Sequence, residues 1–242
     1  GIQRLTEFQT YSGGLSYWPG GQWENAWGTN YAGHFMLEAE NAGYHIPSAF
    51  KLNWVNYQTR MAENYGSSSQ RWEQTTQGYR LYLLAMAKKP SLGAMNRLKQ
   101  QRNLNNMAAW YLAGAYHLAG HYEIASEIAS KLSIPQNEYN YWSYTYGSAT
   151  RDKAVILSIC ALMNKKKIAE DLVEDLCYKL AESKYYMSTQ TTAYSLISIA
   201  HYLKMGDSST LNFKYRVDKG EWKTVTDDKS IWSQTITVDQ GG

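Results

Sequence analysis

The sequence GGLSYWPGGQWENAWGTNYA, residues 13–32, decides how the rest of the chain is interpreted. Its glycines and Pro19 rule out a regular helix or strand over the first half, which is therefore predicted to be a loop. From Thr29, a favourable N-cap residue, apolar residues recur at helical spacing until Gly43, and this pattern predicts a helix. The basic unit of the fold is thus an aromatic loop that leads directly into an apolar helix.

Most of the remaining chain reads as helices joined by short turns. Pro47 is placed to open the next helix at its first turn, and apolar or amphipathic periods follow along the chain. Further helices are predicted over residues 2–11, 47–65, 70–89, 93–102, 107–119, 121–132, 154–163, 165–183 and 193–204.

Five of the predicted helices are short, apolar and rich in small residues. Their starts are 46, 30, 43 and 41 residues apart, the size of a helix-pair repeat, and lie near Thr29, Thr75, Asn105, Ser148 and Thr189. The helices between them carry more charge, so we expect buried inner helices and amphipathic outer helices. The sequence therefore predicts a mainly α fold, an α/α toroid of about five helix pairs.

Closed toroids of this type commonly contain one more helix pair than this chain supplies. We therefore expect N-terminal helices to be missing before residue 1. The absence of such a pair would leave an apolar edge on the ring, and dimerisation through that edge is one expected consequence.

The pattern changes to strict alternation after Asp207. Strands are predicted over residues 211–217, 222–225 and 231–238, with a turn at 218–220 between the first two. Three strands make too small a core to stand alone, so this segment is either an appendage on the helices or the start of a β domain. We divide the chain into a toroid domain, residues 1–206, and a short antiparallel β segment, residues 207–242.

Charge and motif content exclude several classes of function. The net charge of +3 is small and evenly spread, which gives no basis for nucleic-acid binding, and no apolar stretch approaches the roughly 18 residues of a membrane span. No signal peptide, phosphate loop or dinucleotide fingerprint is visible, so no cofactor is predicted. His117 and His121 lie four residues apart, but Leu118 replaces the glutamate of a zincin motif and Gly120 ends the helix. No metal site is predicted.

The two cysteines, Cys160 and Cys177, fall on consecutive predicted helices. Folding these helices into a hairpin separates the two residues by roughly 10 Å along the helix axis, beyond the reach of a disulfide. We therefore expect two free, buried thiols.

The inner-helix starts and two aromatic loops, residues 13–27 and 139–147, are predicted to share one rim of the toroid, where we expect function. The chain contains 21 Tyr and 9 Trp, and rings with a polar group suit crowded interfaces and sugar-binding surfaces equally well. Packing is the simpler interpretation of most of these rings. The candidate rim residues are the aromatic Tyr17, Trp18, Trp23, Trp27, Tyr31 and Trp142 and the polar Thr29, Thr189 and Gln190.

Three carboxylates keep an enzymatic alternative open. Glu24 in the aromatic loop, and Glu73 and Asp152 near inner-helix starts, could converge on the rim, and a glycoside hydrolase or lyase on a toroid needs such a pair. The same positions suit electrostatic stabilisation of helix starts. A toroid module that binds a glycan or peptide without turnover is a further alternative.

Several blocks of the sequence resemble a known family. They are RLTEFQ at 4–9, GGLSYW at 13–18, WGTNYA at 27–32 and GYHIP at 43–47, together with STQTTA at 188–193. These blocks are similar to the thioester-containing helical domain of the α2-macroglobulin family, in its bacterial branch, and the similarity spans about residues 1–205.

The resemblance implies an α/α toroid inserted into a β-sandwich domain, so residues 207–242 would begin that flanking domain. It implies a structural, non-enzymatic part of a complement-like protease trap or endopeptidase inhibitor. The implied partners are the neighbouring macroglobulin-type β domains of the parent chain and the target proteases. The implied location is periplasmic or in the cell envelope, with a lipid anchor carried by the parent protein.

The family's reactive group is a thioester formed within a Cys-x-Glu-Gln motif, and neither cysteine of this chain lies in such a motif. Cys160 is followed by Ala-Leu-Met and Cys177 by Tyr-Lys-Leu, so covalent capture is assigned to no residue here. The motif would lie upstream of residue 1, or the parent is one of the bacterial members that lack it. In a member that retains the motif, the resemblance implies that the rim aromatics at 17, 18, 23 and 27 shield the thioester; the alternative is contact with a neighbouring macroglobulin domain.

Overall fold

The structure is a computed structural model that describes residues 1–68, 70–136, 145–182, 187–205, 211–217 and 220–227. Structural statements below refer to these residues. Trp142, most of the second aromatic loop and the third predicted strand, residues 231–238, lie outside them.

The described chain is mainly helical and ends in a β-hairpin. The helices are α1 (Ile2–Leu5), α2 (Ala26–Asn41), α3 (Ser48–Asn64), α4 (Arg71–Met86), α5 (Leu92–Lys99), α6 (Asn106–Leu118), α7 (Tyr122–Ser130), α8 (Ala149–Leu162), α9 (Lys166–Ala181) and α10 (Thr189–Leu203). A 3₁₀ turn, Thr6–Phe8, follows α1. The strands β1 (Leu211–Tyr215) and β2 (Lys223–Asp227) pair antiparallel, with residue 213 opposite residue 225.

The helices form two layers, with α2, α4, α6, α8 and α10 inside and α3, α5, α7 and α9 outside. Every residue of α4 from Gln74 to Ala85 is buried, whereas the outer helix α9 buries only Ala169, Leu172 and Leu176. This contrast is the expected result when one helix is enclosed by neighbours and the other faces water on one side. The predicted fold, an α/α toroid with a short antiparallel β segment, is confirmed. The domain division at residue 206 stays a prediction.

The inner helices α2 and α10 are not buried on all sides. Phe35 on α2 is 46% exposed, and Leu196 and Leu203 on α10 are 58% and 38% exposed. Large apolar side chains that are exposed to this extent are expected at an open edge of the ring.

The ring is nevertheless linked across α2 and α10 by polar side chains. The hydroxyl of Tyr194 on α10 donates to that of Tyr79 on α4 at 2.7 Å, and Nδ1 of His34 on α2 lies 2.8 Å from the same Tyr79 oxygen. At the other end of these helices, Oε1 of Glu38 lies 3.2 Å from Nε2 of His201 and 3.5 Å from Nε2 of His34. These contacts connect the first and last inner helices.

Three predicted features differ from the structure. The helix predicted over residues 2–11 ends early, because Gln9 forms a β-bridge with Leu15. Thr29 is not the N-cap of α2: the Asn25 side chain accepts from the Gly28 amide at 2.6 Å, so the helix begins at Ala26. Both cysteines are free. Cys160 is buried as expected, but Cys177 is exposed, because it lies on the outer face of α9.

Close packing between α2 and α3 depends on Gly33. A Cβ atom at this position would lie 2.2 Å from the indole of Trp54, a fully buried ring. We expect Gly33→Ala to lower the free energy of unfolding by about 1–3 kcal/mol, because the ring must shift in a filled core. The control is Gly93→Ala in α5, where the nearest atom is the flexible end of Arg97 at 3.6 Å. Urea unfolding of both variants measures the difference; equal stability would contradict this packing.

The link between α2 and α10 should depend on pH. Burial alone would raise the pKa of Glu38, but the imidazoles of His201 and His34, whose Nε2 atoms lie 3.2 and 3.5 Å from its Oε1, outweigh it and hold this pKa well below its ordinary value of 4.5. A lowered pKa adds stability that is present above the unfolded-state pKa and is lost as the pH falls. We therefore expect the free energy of unfolding of Glu38→Gln to fall less steeply than that of the unaltered protein between about pH 4.5 and pH 2.

Acid unfolding followed by circular dichroism measures this effect. Glu63→Gln removes a carboxylate from an exposed position of α3 and serves as the control for loss of one surface charge. If the stability of Glu38→Gln falls as steeply with decreasing pH as that of the unaltered protein, Glu38 does not contribute to the acid dependence.

Candidate functional site

The candidate site is the rim at which α2, α8 and α10 begin, together with the loop of residues 9–25 and residues 145–148. The loop is held by two β-bridges, one between Gln9 and Leu15 and one between Ser16 and Glu24. It is also fixed to α2 by Thr29, whose hydroxyl accepts from the Leu15 amide at 2.9 Å and donates to the Leu15 carbonyl at 3.2 Å. The predicted polar rim residue Thr29 is therefore fully buried and anchors the loop.

The carboxylate of Glu24 serves the same loop. Its Oε1 accepts from Thr10 Oγ1 at 3.2 Å and from the Ser12 hydroxyl. The hydrogen bond from Ser12 is the main cause of the lowered pKa of Glu24; burial acts weakly in the opposite direction. This carboxylate stays ionised and stabilises the loop that contains it.

Trp27 lies at the centre of the rim and is only 5% exposed. The guanidinium carbon of Arg151 lies 4.9 Å from the centre of its indole ring, a cation–π contact. The side-chain amide of Gln190 is oriented so that both of its atoms are hydrogen-bonded. Its oxygen accepts from Trp27 Nε1 at 2.9 Å and its nitrogen donates to the Thr145 carbonyl at 3.2 Å. The starts of α2, α8 and α10 therefore meet around one indole ring.

Arg151 is paired within the protein. Its Nε donates to Oδ1 of Asp152 at 2.7 Å, and the two side chains are 3% and 5% exposed. Burial alone would lower the pKa of Arg151, but the neighbouring Asp152 carboxylate outweighs it and the pKa is raised. Asp152 therefore compensates a buried cation at the rim. Glu73, the third predicted carboxylate, lines a crevice beside α4.

The predicted aromatic set divides into buried and exposed rings. Trp27 is buried and Tyr31 is partly buried, with its ring 5.6 Å from that of Tyr194. The exposed rings form what we call the aromatic patch, consisting of Tyr11, Tyr17, Trp18 and Trp23, whose exposed fractions are 110%, 56%, 71% and 85%. The assignment of Tyr17, Trp18, Trp23 and Trp27 to a thioester shield or a domain contact stays a prediction, and Trp142 lies outside the described residues.

Tyr146, in the described end of the second aromatic loop, lies beside Tyr17 of the patch. A hydrogen bond with Tyr17 is the main cause of the raised pKa of Tyr146, from the second loop. The Tyr17 and Trp18 rings lie 5.2 Å apart in an edge-to-face arrangement. Thr189, the remaining predicted rim residue, is exposed at the first position of α10.

Sequence reasoning missed three residues that shape the rim, Tyr11, Tyr146 and Arg151. The signal for Arg151 was its position in the first turn of an apolar helix, where a buried cation requires a partner such as the adjacent Asp152. The signal for Tyr146 was weaker, because only its aromatic surroundings distinguish it.

The described residues contain no group of three His, Cys, Asp or Glu side chains arranged to hold a metal ion. Within the same part of the chain, no helix has the length and apolar character needed to cross a membrane.

The loop anchor provides a direct test of how the rim is built. We expect Thr29→Val to lower the free energy of unfolding by about 1–3 kcal/mol, because the buried Leu15 amide loses its partner. Limited proteolysis should also cut the loop of residues 9–25 sooner. Thr189→Val, at an exposed position, is the matched control. If both variants unfold at the same urea concentration, the anchor contributes nothing.

Comparison with known proteins places this geometry in context. No family model matches the chain. The α2-macroglobulin of Escherichia coli K12 is 27% identical over 204 residues; the match covers 78% of this chain, and the chain spans 12% of the length of that relative.

Two solved structures share the fold. Native E. coli α2-macroglobulin, spanning domain MG7 to the C-terminus, has a TM-score of 0.76 and 22% identity, and the match covers 93% of this chain and 37% of the other. E. coli α2-macroglobulin activated by porcine elastase has a TM-score of 0.70 and 24% identity, with coverage of 93% and 21%. The sequence match and the shared fold together confirm the predicted resemblance to the α2-macroglobulin family, in its bacterial branch.

Proposed function

We propose that this chain is the thioester-type helical domain of a bacterial α2-macroglobulin-like protease trap, and that it is a structural, non-catalytic part of the trap. The observation that carries this proposal is the sequence match to a bacterial α2-macroglobulin along 78% of the chain. The shared α/α fold supports it. In this proposal residues 1–206 are the helical domain, and residues 207–242 begin the flanking β-sandwich domain.

The state of the two thiols supports a non-covalent role for this segment. Burial raises the pKa of Cys160 to about 12, so its thiol is neutral and inert near neutral pH. Cys177 is exposed on the outer helix α9, and neither residue lies in the Cys-x-Glu-Gln pattern. A thioester in the parent protein would therefore come from another segment.

The aromatic patch supports a docking role for the rim. Trp18 and Trp23 are more than two-thirds exposed, although the loop beneath them is fixed by Thr29 and Glu24. Large rings held out on a rigid support are typical of interface residues, because little conformational entropy is lost when a partner covers them. We assign the patch to contact with a neighbouring macroglobulin-type domain, where it would shield a thioester if the parent contains one.

The remaining parts of the proposal concern the parent protein. One relative of known structure was activated by porcine elastase, and we propose proteases as the targets of the parent of this chain. We also propose a periplasmic or cell-envelope location, with a lipid anchor carried by the parent.

The test uses the parent protein and the isolated chain side by side. We expect the parent, after incubation with elastase, to abolish cleavage of a large protein substrate while a small peptide substrate is still cleaved. The isolated chain should leave both activities unchanged. Inhibition by the isolated chain would contradict the structural role, and lack of inhibition by the parent would contradict the trap.

The docking role has its own test, the double variant Trp18→Ala, Trp23→Ala. We expect it to lower the unfolding temperature of the parent, because an interdomain contact is lost. The free energy of unfolding of the isolated chain should change by no more than about 0.5 kcal/mol, as for other exposed positions. Tyr44→Ala, at a 69% exposed ring just after α2, is the control. An unchanged parent would overturn the docking role.

The enzymatic alternative predicts a different outcome. A toroid glycoside hydrolase or lyase would turn over an oligosaccharide and lose activity in Glu24→Gln or Asp152→Asn. Binding of a glycan without turnover would instead favour a binding module.

A further inference from the structure

The core contains two buried arginines with different surroundings. Arg151 is paired with the carboxylate of Asp152. Arg80, in the inner helix α4, is 4% exposed, and no carboxylate of the described residues forms an ion pair with it. A buried cation without a counter-ion is costly, and proteins usually compensate it.

The hydrogen bonds of Arg80 go to neutral amides. Its Nε donates to Gln58 Oε1 at 2.9 Å and its Nη1 donates to Gln77 Oε1 at 2.6 Å. Both amides are fixed from behind, since Gln58 Nε2 donates to Asn30 Oδ1 at 2.7 Å and Gln77 Nε2 donates to the Ala62 carbonyl at 3.1 Å. This network orients the guanidinium but leaves its charge uncompensated.

Two nearby tyrosines do not supply the missing negative charge. Burial raises the pKa of both Tyr57 and Tyr65, so their hydroxyls stay neutral at physiological pH. The pKa of Arg80 itself is lowered to about 10 by burial, which still leaves it protonated.

Arg80 lies on the wall of an open crevice of about 350 Å³ between the C-terminal end of α3 and the N-terminal end of α4. Its Nη2 forms no hydrogen bond with any described residue, so this donor is available from the crevice. The exposed Ser67 lies on the same wall. The first backbone N–H groups of α4 are also close, and the N-cap residue, Gln70, makes no side-chain hydrogen bond to them.

We propose that this crevice is a binding site for a carboxylate group, which Arg80 holds through its free Nη2. A guanidinium and a carboxylate form short, charge-assisted hydrogen bonds, and such a pair would compensate the buried charge. Glu73 lines the same crevice, about two helical turns from Arg80. Its charge disfavours a dianion such as phosphate more than a monoanion such as a carboxylate.

The carboxylate has two possible sources, a small free acid or an acidic polypeptide segment. The test therefore uses the ¹⁵N-labelled chain and follows the Nε–Hε resonance of Arg80 during titration at constant ionic strength. The probes are acetate, the peptide-like acid N-acetylglycylglycine, and its neutral amide. We expect a saturable shift with both acids and none with the amide.

The relative affinities of the two acids distinguish the sources. Tighter binding of the peptide-like acid indicates a polypeptide segment, and tighter or equal binding of acetate indicates a free acid. Either result supports a carboxylate site. The absence of a saturable shift with both acids, or the same shift with the neutral amide, overturns the proposal.

Variants that leave the Arg80 network intact provide a second test. We expect Glu73→Gln to tighten acid binding by about two- to threefold, because a repelling charge is removed at about 10 Å. Glu170→Gln, at an exposed position of the outer helix α9, is the control and should leave the affinity unchanged. Equal affinities of the two variants would contradict the assigned crevice, even if a carboxylate binds elsewhere. A third variant, Arg80→Lys, alters the network itself. It retains the charge but not the planar donor group, and it should weaken binding.

Discussion

The hydroxyl groups of Tyr79 and Tyr194 lie 2.7 Å apart although 115 residues separate them in the chain. The stacked Tyr111 ring and the imidazole of His34 surround the same point. Because the two hydroxyls and Nδ1 of His34 are buried, their mutual hydrogen bonds require α2, α4 and α10 to lie side by side. The outer helix α3 is held to the inner layer in the same way, because Gln58 Nε2 donates to Asn30 Oδ1 on α2 and Gln58 Oε1 accepts from Arg80 on α4.

The ring geometry explains why the rim is rigid where it is most aromatic. Once α2, α8 and α10 begin side by side, Arg151 and Gln190 enclose Trp27, and Thr29 fixes the loop above it. The rings that remain outside, including Trp18 and Trp23, are therefore presented on a stable support. A scaffold that holds apolar rings in water is stabilised by its interior and can use those rings for contact with a partner.

The α/α architecture was predictable from local signals, because caps and periodicity act over a few residues. Asn105 and Ser148 cap α6 and α8 as their sequence positions indicate. Thr29 was wrongly assigned as a cap, because its hydroxyl is taken by Leu15, a contact set by the tertiary fold. Which aromatic rings are buried could not be predicted, since the residues that enclose Trp27 lie more than 100 positions away. The uncompensated charge of Arg80 also required the structure, because it depends on what is absent around the side chain.

The function proposed for this domain depends on the aromatic patch being an interdomain contact surface. Hydroxyl-radical footprinting of the resting parent protein and of the isolated chain tests it most directly, with Trp54 and Trp110, which are 0% and 1% exposed, as internal references. We expect Trp18 and Trp23 to react readily in the isolated chain and to be protected in the parent. Equal reactivity of these two rings in both proteins would contradict it.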